Sequence, residues 1–206
     1  MPLRALAINC TLKADTSEPS STDKMIGVLR EAFAQHDVTI TETVRVAALD
    51  IKPGVTSDEG EGDDWPALRT KILDHDILVF GGPIWLGQMS SIGRRVLERM
   101  DAFLGETDDA SRMPSYGKVA VAAIVGNEDG AHFYTAQLFQ SLNDTGWTIP
   151  AAAALYWVGE AMGSTDFYDL PETPEKVTET AKAVASNAAH LAGLLKAAAY
   201  PGVQPD

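Results

Sequence analysis

Hydrophobic positions along the chain switch repeatedly between a strand-like and a helix-like period. After Met1-Pro2, Leu3 to Ile8 is apolar apart from Arg4, the pattern of a strand buried on both faces. Met25, Val28, Leu29, Ala32 and Phe33 then recur at the spacing of one helical face. Val38 to Val46 alternates apolar with polar residues (Val38, Ile40, then Val44 and Val46), which predicts a second strand at or near a sheet edge. Trp65, Leu68 and Ile72 predict a short helix, with Asp63 or Asp64 as its cap and Pro66 in its first turn. Ile77 to Phe80 is a third buried strand, closed by a break at Gly81-Gly82-Pro83. Ser90 or Ser91 caps a helix whose apolar face is Ile92, Val96, Met100 and Phe103. Val119 to Val125 is the fourth strand. Gly126 to Gly130 turns the chain into a helix carrying Ala131, Thr135, Leu138, Phe139 and Leu142. Thr148 to Trp157 is mostly apolar and predicts a fifth strand. The last helix opens at Thr173-Pro174, and its stripe is Val177, Ala181, Val184, Ala188, Leu191 and Leu195.

Strict alternation of five strands with five helices requires crossover connections, so helices fall on both faces of a parallel sheet. The expected fold is α/β: a flavodoxin-like, three-layer, doubly wound sheet of five parallel strands in the order 2-1-3-4-5. No repeat or composition shift divides the chain, and the acidic stretch Gly54 to Asp64 reads as an exposed loop. Residues 1–206 are therefore expected to form a single domain.

Composition narrows the function classes. A formal net charge of -13 argues against a nucleic-acid partner, whose phosphates need a surface rich in Lys and Arg. Cys10 is the only cysteine, which leaves no intrachain disulfide or Cys-x-x-Cys cluster and no metal site of that kind. No apolar stretch approaches the ~18 residues needed to span a bilayer, and the N-terminus lacks the long apolar region of a signal peptide. A cytoplasmic protein is expected.

In a sheet of this order, ligands bind beyond the carboxyl ends of the strands, beside the switch point. Three loops at that edge have unusual composition. The first, Asn9 to Thr22, is dense in hydroxyls and ends at a helix start, where free amides and the helix dipole attract an anion. Thr11, Ser20, Ser21 and Thr22 can donate to phosphate oxygens, and Lys13 can neutralise charge. Equally, Ser20 or Ser21 can simply cap the helix. The loop has no glycine, so it is neither a Walker A loop nor GxGxxG. The second loop, Gly81 to Ser91, holds Trp85 between a Pro and a Gly, suited to placing an indole along a planar ligand. The alternative is a structural turn with Trp85 packed in the core or an interface. The third is Gly126-Asn127-Glu128-Asp129-Gly130-Ala131-His132, able to offer amides to a ring edge, or to serve as an ordinary turn with Asp129 as cap.

At these residues the sequence resembles the NADPH-dependent FMN reductase and flavodoxin-like family, which includes the WrbA-type quinone reductases. Gly82-Pro83-Ile84-Trp85-Leu86-Gly87 is similar to the family's G-[ST]-P-x-[YW]-x-G loop, and Gly126 to His132 to its T-G-N-x-x-G-x-x turn. The resemblance covers nearly the whole chain. It implies FMN as cofactor, with the phosphate on Thr11, Lys13, Ser17, Ser20, Ser21 and Thr22. It implies the isoalloxazine against Pro83, Ile84, Trp85, Leu86 and Gly87, and the pyrimidine side against Gly126, Asn127, Glu128, Asp129, Gly130 and His132. The first loop departs from the family in lacking a Gly-Ser start, and Val125 stands where many relatives carry Thr. Iron-sulfur relatives are excluded, because their cluster cysteines are absent.

The implied activity is an NAD(P)H oxidoreductase, passing hydride through flavin N5 to a quinone-like or other small acceptor. The resemblance also implies a homodimer or homotetramer. No protein acid or base is required for that chemistry, and no catalytic residue stands out. His132 is a candidate proton donor to the acceptor, although a lone His is more often structural. Tyr156 and Trp157, at the end of the fifth strand, are candidates to line the acceptor pocket, although core packing is the more usual role. A flavodoxin-type electron-transfer protein and a non-catalytic family member are the alternatives.

Overall fold

A computed structural model describes residues 2–203 of the chain, so Met1 and 204–206 of the expected single domain lie outside the described residues. The strands are β1 (Leu3–Asn9), β2 (Val38–Arg45), β3 (Ile77–Trp85), β4 (Gln88–Met89), β5 (Val119–Gly126) and β6 (Ala154–Val158). The helices are α1 (Ser21–Ala34), α2 (Trp65–Leu73), α3 (Ser91–Met100), α4 (Ala131–Asp144) and α5 (Glu175–Ala197). Five strands pair in parallel in the order β2-β1-β3-β5-β6, and β4 pairs antiparallel with the end of β3. Counting only the parallel strands, this is the flavodoxin-like order 2-1-3-4-5.

Alternate residues of the central strands feed two cores. Ala5, Ala7, Val79, Val121 and Ala123 face α1 and α5, against Met25, Leu29 and Phe33 and against Ala181, Val184 and Ala188. Leu6, Ile8, Leu78, Phe80, Ala122 and Ile124 face the other way, against α2, α3 and α4. Two buried faces explain why these strands are continuous apolar runs, and β2, an edge strand, why it alternates.

Five local expectations need correction. The Gly81-Gly82-Pro83 break is a continuation of β3, paired with β5 as far as Pro83 and Val125. Its β1 neighbour ends at the pair Asn9 and Gly81, so the missing N–H of Pro83 falls where β3 has already become an edge. The fifth parallel strand starts at Ala154, and Thr148 makes only an isolated bridge to Val119. Gly130, not Asp129, is the N-cap of α4, and Pro174 stands at the cap of α5 without a side-chain bond. Within α4, Tyr134 takes the buried place between Ala131 and Leu138.

Consecutive glycines set the spacing at the carboxyl edge. A methyl group on Gly81 would stand 2.9 Å from the Thr22 and Ile26 side chains of α1, and one on Gly82 would stand 2.4 Å from the Tyr134 hydroxyl of α4. The absence of side chains there lets two helices press on β3 from opposite faces, drawing the start of α1 close to β3 at Gly81.

Candidate functional site

Beyond the carboxyl ends of β1, β3, β5 and β6 lies a cavity of about 680 Å³, within the usual range of ligand pockets. Its wall is drawn from all three loops that stand out in the sequence, and from a fourth segment that does not.

One end is built on the start of α1. Ser20 is the helix cap: its Oγ accepts the N–H of Asp23 at 3.4 Å and the Asn9 amide at 3.2 Å, leaving its own hydroxyl proton free to donate. The N–H groups of Ser21 and Thr22 precede the first helical acceptor, so they have no partner within the helix. Thr11, Lys13, Ser20, Ser21 and Thr22 all line the cavity, together with Leu12 and Pro19. Lys13 donates to the Pro19 carbonyl at 2.9 Å and lies 3.9 Å from the Glu18 carboxylate. Ser17 does not line the cavity; its N–H and hydroxyl both donate to the Asp15 carboxylate, at 2.8 and 2.7 Å. These bonds hold the Asp15 carboxyl below its ordinary pKa.

A second wall is the hairpin of β3 and β4. Pro83, Ile84, Trp85 and Leu86 line the cavity, with Trp85 53% and Leu86 88% exposed. Leu86 and Gly87 both have positive φ, 53° and 74°, the signature of a two-residue type I′ turn. Gly87 therefore makes the turn and stays off the cavity wall. In the loop after β5, Gly126, Asn127 and Glu128 line the cavity beside Val125. Asp129, Gly130 and His132 lie behind it. The His132 ring nitrogen stands 3.1 Å from the Tyr156 hydroxyl, and neither residue reaches the wall.

The fourth segment follows β6. Trp157 near the end of β6, and beyond it Met162, Gly163 and Asp166 to Asp169, line the cavity; of these the sequence offered only Trp157 as a pocket candidate, and the rest were missed. Asn127 organises this wall: its side-chain NH2 donates to the Gly163 carbonyl at 3.2 Å and the Asp166 carboxylate at 3.0 Å, and its backbone carbonyl accepts the Met162 N–H at 3.2 Å. Lys24 of α1 ties down the far end, donating to the carbonyls of Phe167 and Leu170 at 3.0 and 2.7 Å. Ser21 Oγ accepts the Tyr168 N–H at 3.0 Å. The usable signal was topological: the loop after the fifth parallel strand leaves the same sheet edge as the others.

Beneath the hairpin sit two buried groups that take no part in the wall. Burial pushes the Cys10 thiol and the Tyr134 phenol up, well above their ordinary values. Both are neutral and inert at physiological pH.

The family profile described as NADPH-dependent FMN reductase matches residues 3–162. The chain belongs to the NADPH-dependent FMN reductase family. Membership makes it a flavin-dependent oxidoreductase with FMN as cofactor, and the matched residues span the first three walls of the cavity. The cavity fits such a group. Its lining combines hydroxyls and unpartnered helix-start amides with an exposed indole and its apolar neighbours.

Among curated relatives, the chain is 31% identical over 210 residues to the 8-demethyl-8-aminoriboflavin-5'-phosphate synthase of Streptomyces davaonensis, covering 97% of this chain and 81% of that protein. It is 40% identical over 175 residues to the divalent metal cation transporter MntH of Mycobacterium bovis. That match covers 81% of this chain but only 25% of the transporter. Among the described residues, no helix is long and apolar enough to cross a membrane. The crystal structure of RosB with a bound intermediate, 8-demethyl-8-formylriboflavin-5'-phosphate, superposes with a TM-score of 0.85 at 29% identity. The superposition covers 97% of this chain and 82% of RosB.

Proposed function

We propose that this family member is an NAD(P)H oxidoreductase that passes hydride, through FMN, to a quinone-like or other small acceptor. The observation that carries the reading is the cavity itself, lined by both a hydroxyl-rich helix start and an exposed tryptophan and large enough for a flavin. Bound FMN supplies the redox chemistry by accepting hydride at N5 and giving it up to the acceptor.

The chain's own residues bind, orient and shield. Ser20, Ser21 and Thr22 hold the phosphate with hydroxyls and the first amides of α1, while Lys13 and Thr11 close over it. Pro83, Ile84, Trp85 and Leu86 flank the ring, with the Trp85 indole along one face. Gly126, Asn127 and Glu128 set the polar edge. Trp157 and Met162 limit solvent on the remaining side and leave a mouth for nicotinamide and acceptor in turn. We further propose a cytoplasmic homodimer or homotetramer. Trp85, Leu86, Met162 and Tyr168 leave at the mouth exposed apolar surface of the kind a second copy covers.

Anaerobic mixing tests the reading directly. The purified chain loaded with FMN should lose its yellow colour on adding NADPH or NADH, and regain it on adding a quinone. Bleaching that requires a separate reductase would make it a flavodoxin-type carrier instead. A protein that retains no flavin would overturn both. The likeness to the aminoriboflavin-phosphate synthase favours a second reading, in which the flavin phosphate is itself altered. Mass analysis of the flavin recovered after turnover separates the two, since a redox cofactor returns unchanged.

A further inference from the structure

Arg45 is the last residue of the edge strand β2, and its register partner on β1 is Asn9. The two side chains leave the sheet edge side by side and converge on Asp23 in the first turn of α1. Asn9 donates to one carboxylate oxygen at 2.7 Å, and Arg45 pairs with the other. The guanidinium also donates to the carbonyls of Asp15 and Glu18, the latter at 3.0 Å. Those carbonyls bracket the turn at the far side of the first loop, closed by the Glu18 N–H on Asp15 O at 3.2 Å. Arg45 does not itself line the cavity, and its side chain is only 5% exposed.

A buried guanidinium is costly unless every direction of its fork is answered. Here one arm holds the helix that presents Ser21 and Thr22, and the other holds the loop that carries Pro19 and Lys13. Among the described residues, no other buried cation lies between the two parts of the phosphate end. The hydroxyl-rich loop has no glycine and fourteen residues from Asn9 to Thr22, so its path to the helix start is long and weakly determined by its own sequence.

We infer that Arg45 is a positioning residue for the flavin phosphate, fixing the first loop on α1 so that the Ser20–Thr22 amides and hydroxyls converge on one point. This rests on the FMN assignment of the cavity. Because the ring contacts belong to β3, β5 and the segment after β6, loss of Arg45 should weaken the grip on the phosphate and spare the grip on the ring.

Riboflavin, which has the ring and no phosphate, makes that separation measurable. The full chain, stripped of flavin, is titrated with FMN and with riboflavin by fluorescence quenching. Arg45→Ala should weaken FMN by about tenfold while riboflavin moves by less than about twofold. Arg45→Lys, which keeps the charge at Asp23 but cannot span both carbonyls, should fall between. It carries the test alone if the alanine variant does not fold. Equal weakening of both flavins, or an FMN-to-riboflavin ratio unchanged from wild type, overturns the inference. Wild-type chain that binds both equally would mean no phosphate is held. Wild-type chain that binds neither would sink the flavin assignment, and this inference with it.

Discussion

The carboxylate of Glu128 accepts the backbone N–H of Leu86 at 2.8 Å and, through its other oxygen, that of Gly87 at 3.2 Å. The two turn amides of the β3–β4 hairpin are thereby satisfied by the loop after β5, and the hairpin tip is held to it by charge-assisted bonds. Glu128→Ala should free the tip and let Trp85 leave its position, weakening FMN by about tenfold, whereas Glu128→Gln, which keeps one acceptor, should lose less. Flavin fluorescence titration of the two variants checks the order. Equal affinity in Glu128→Ala and wild type would show that the tip position is irrelevant to binding.

Gly130 has φ of 119° and lies so close to the hairpin that an added methyl would stand 2.5 Å from the Gly87 carbonyl oxygen. Backbone on both sides of the contact leaves nothing flexible to yield. Gly130→Ala is expected to destabilise the chain by about 2–3 kcal/mol, combining unfavourable φ with overpacking. It should also lower FMN affinity, because the hairpin must move away. Urea unfolding of the flavin-free protein isolates the first effect from the second.

Much of this edge could be read from the sequence, because it depends on strand order and loop composition. Once β1, β3 and β5 are recognised as buried runs, the doubly wound order brings Ser20, Trp85 and Asn127 to one side with no knowledge of side-chain contacts. What could not be read was who satisfies whom. Gly87 and Gly130 look like ring-binding positions by motif, but they face one another as a backbone contact. Arg45 ends an alternating strand and carries no local sign that it reaches residues 22 to 30 positions away. The wall from Met162 to Asp169 is held by Asn127 and Lys24 across long sequence separations, and its own composition is that of any acidic connection. Such pairings are tertiary, and local period is silent about them.

Tyr134 offers a test of a group that neither wall uses. Its hydroxyl is buried, lies against the Gly82 backbone and has no hydrogen-bond partner among the described residues. An unanswered buried hydroxyl costs about 1–3 kcal/mol. Tyr134→Phe keeps the ring among Cys10, Ala131 and Leu138 while deleting that penalty. The variant should therefore be as stable as wild type or more so, by up to about 1 kcal/mol in chemical denaturation, with FMN affinity unchanged. A clear loss of stability would reveal a partner for the hydroxyl, such as a buried water.

The acidic loop after β2 is pinned by an ion pair whose side chains are both fully buried, Asp63 with Arg99 at 2.8 Å. Burial pushes the Asp63 carboxyl up, but the Arg99 guanidinium and the N–H groups of Glu59, Trp65 and Lys52 outweigh it and hold the pKa well below 3.8. Arg99 in turn donates to the Lys52 and Thr56 carbonyls, fastening the loop to α3. A carboxyl depressed in the folded state contributes stability that is complete above the unfolded pKa and disappears as pH falls toward the folded one. Asp63→Asn leaves Arg99 buried without its counter-charge and is expected to cost about 3 kcal/mol at neutral pH. The difference from wild type should hold steady down to about pH 5 and shrink below about pH 4, where the wild-type carboxylate begins to lose its advantage. Parallel denaturation series of the two proteins across that range measure it. A gap independent of pH to the acid limit would mean the cost of the variant is steric and not electrostatic.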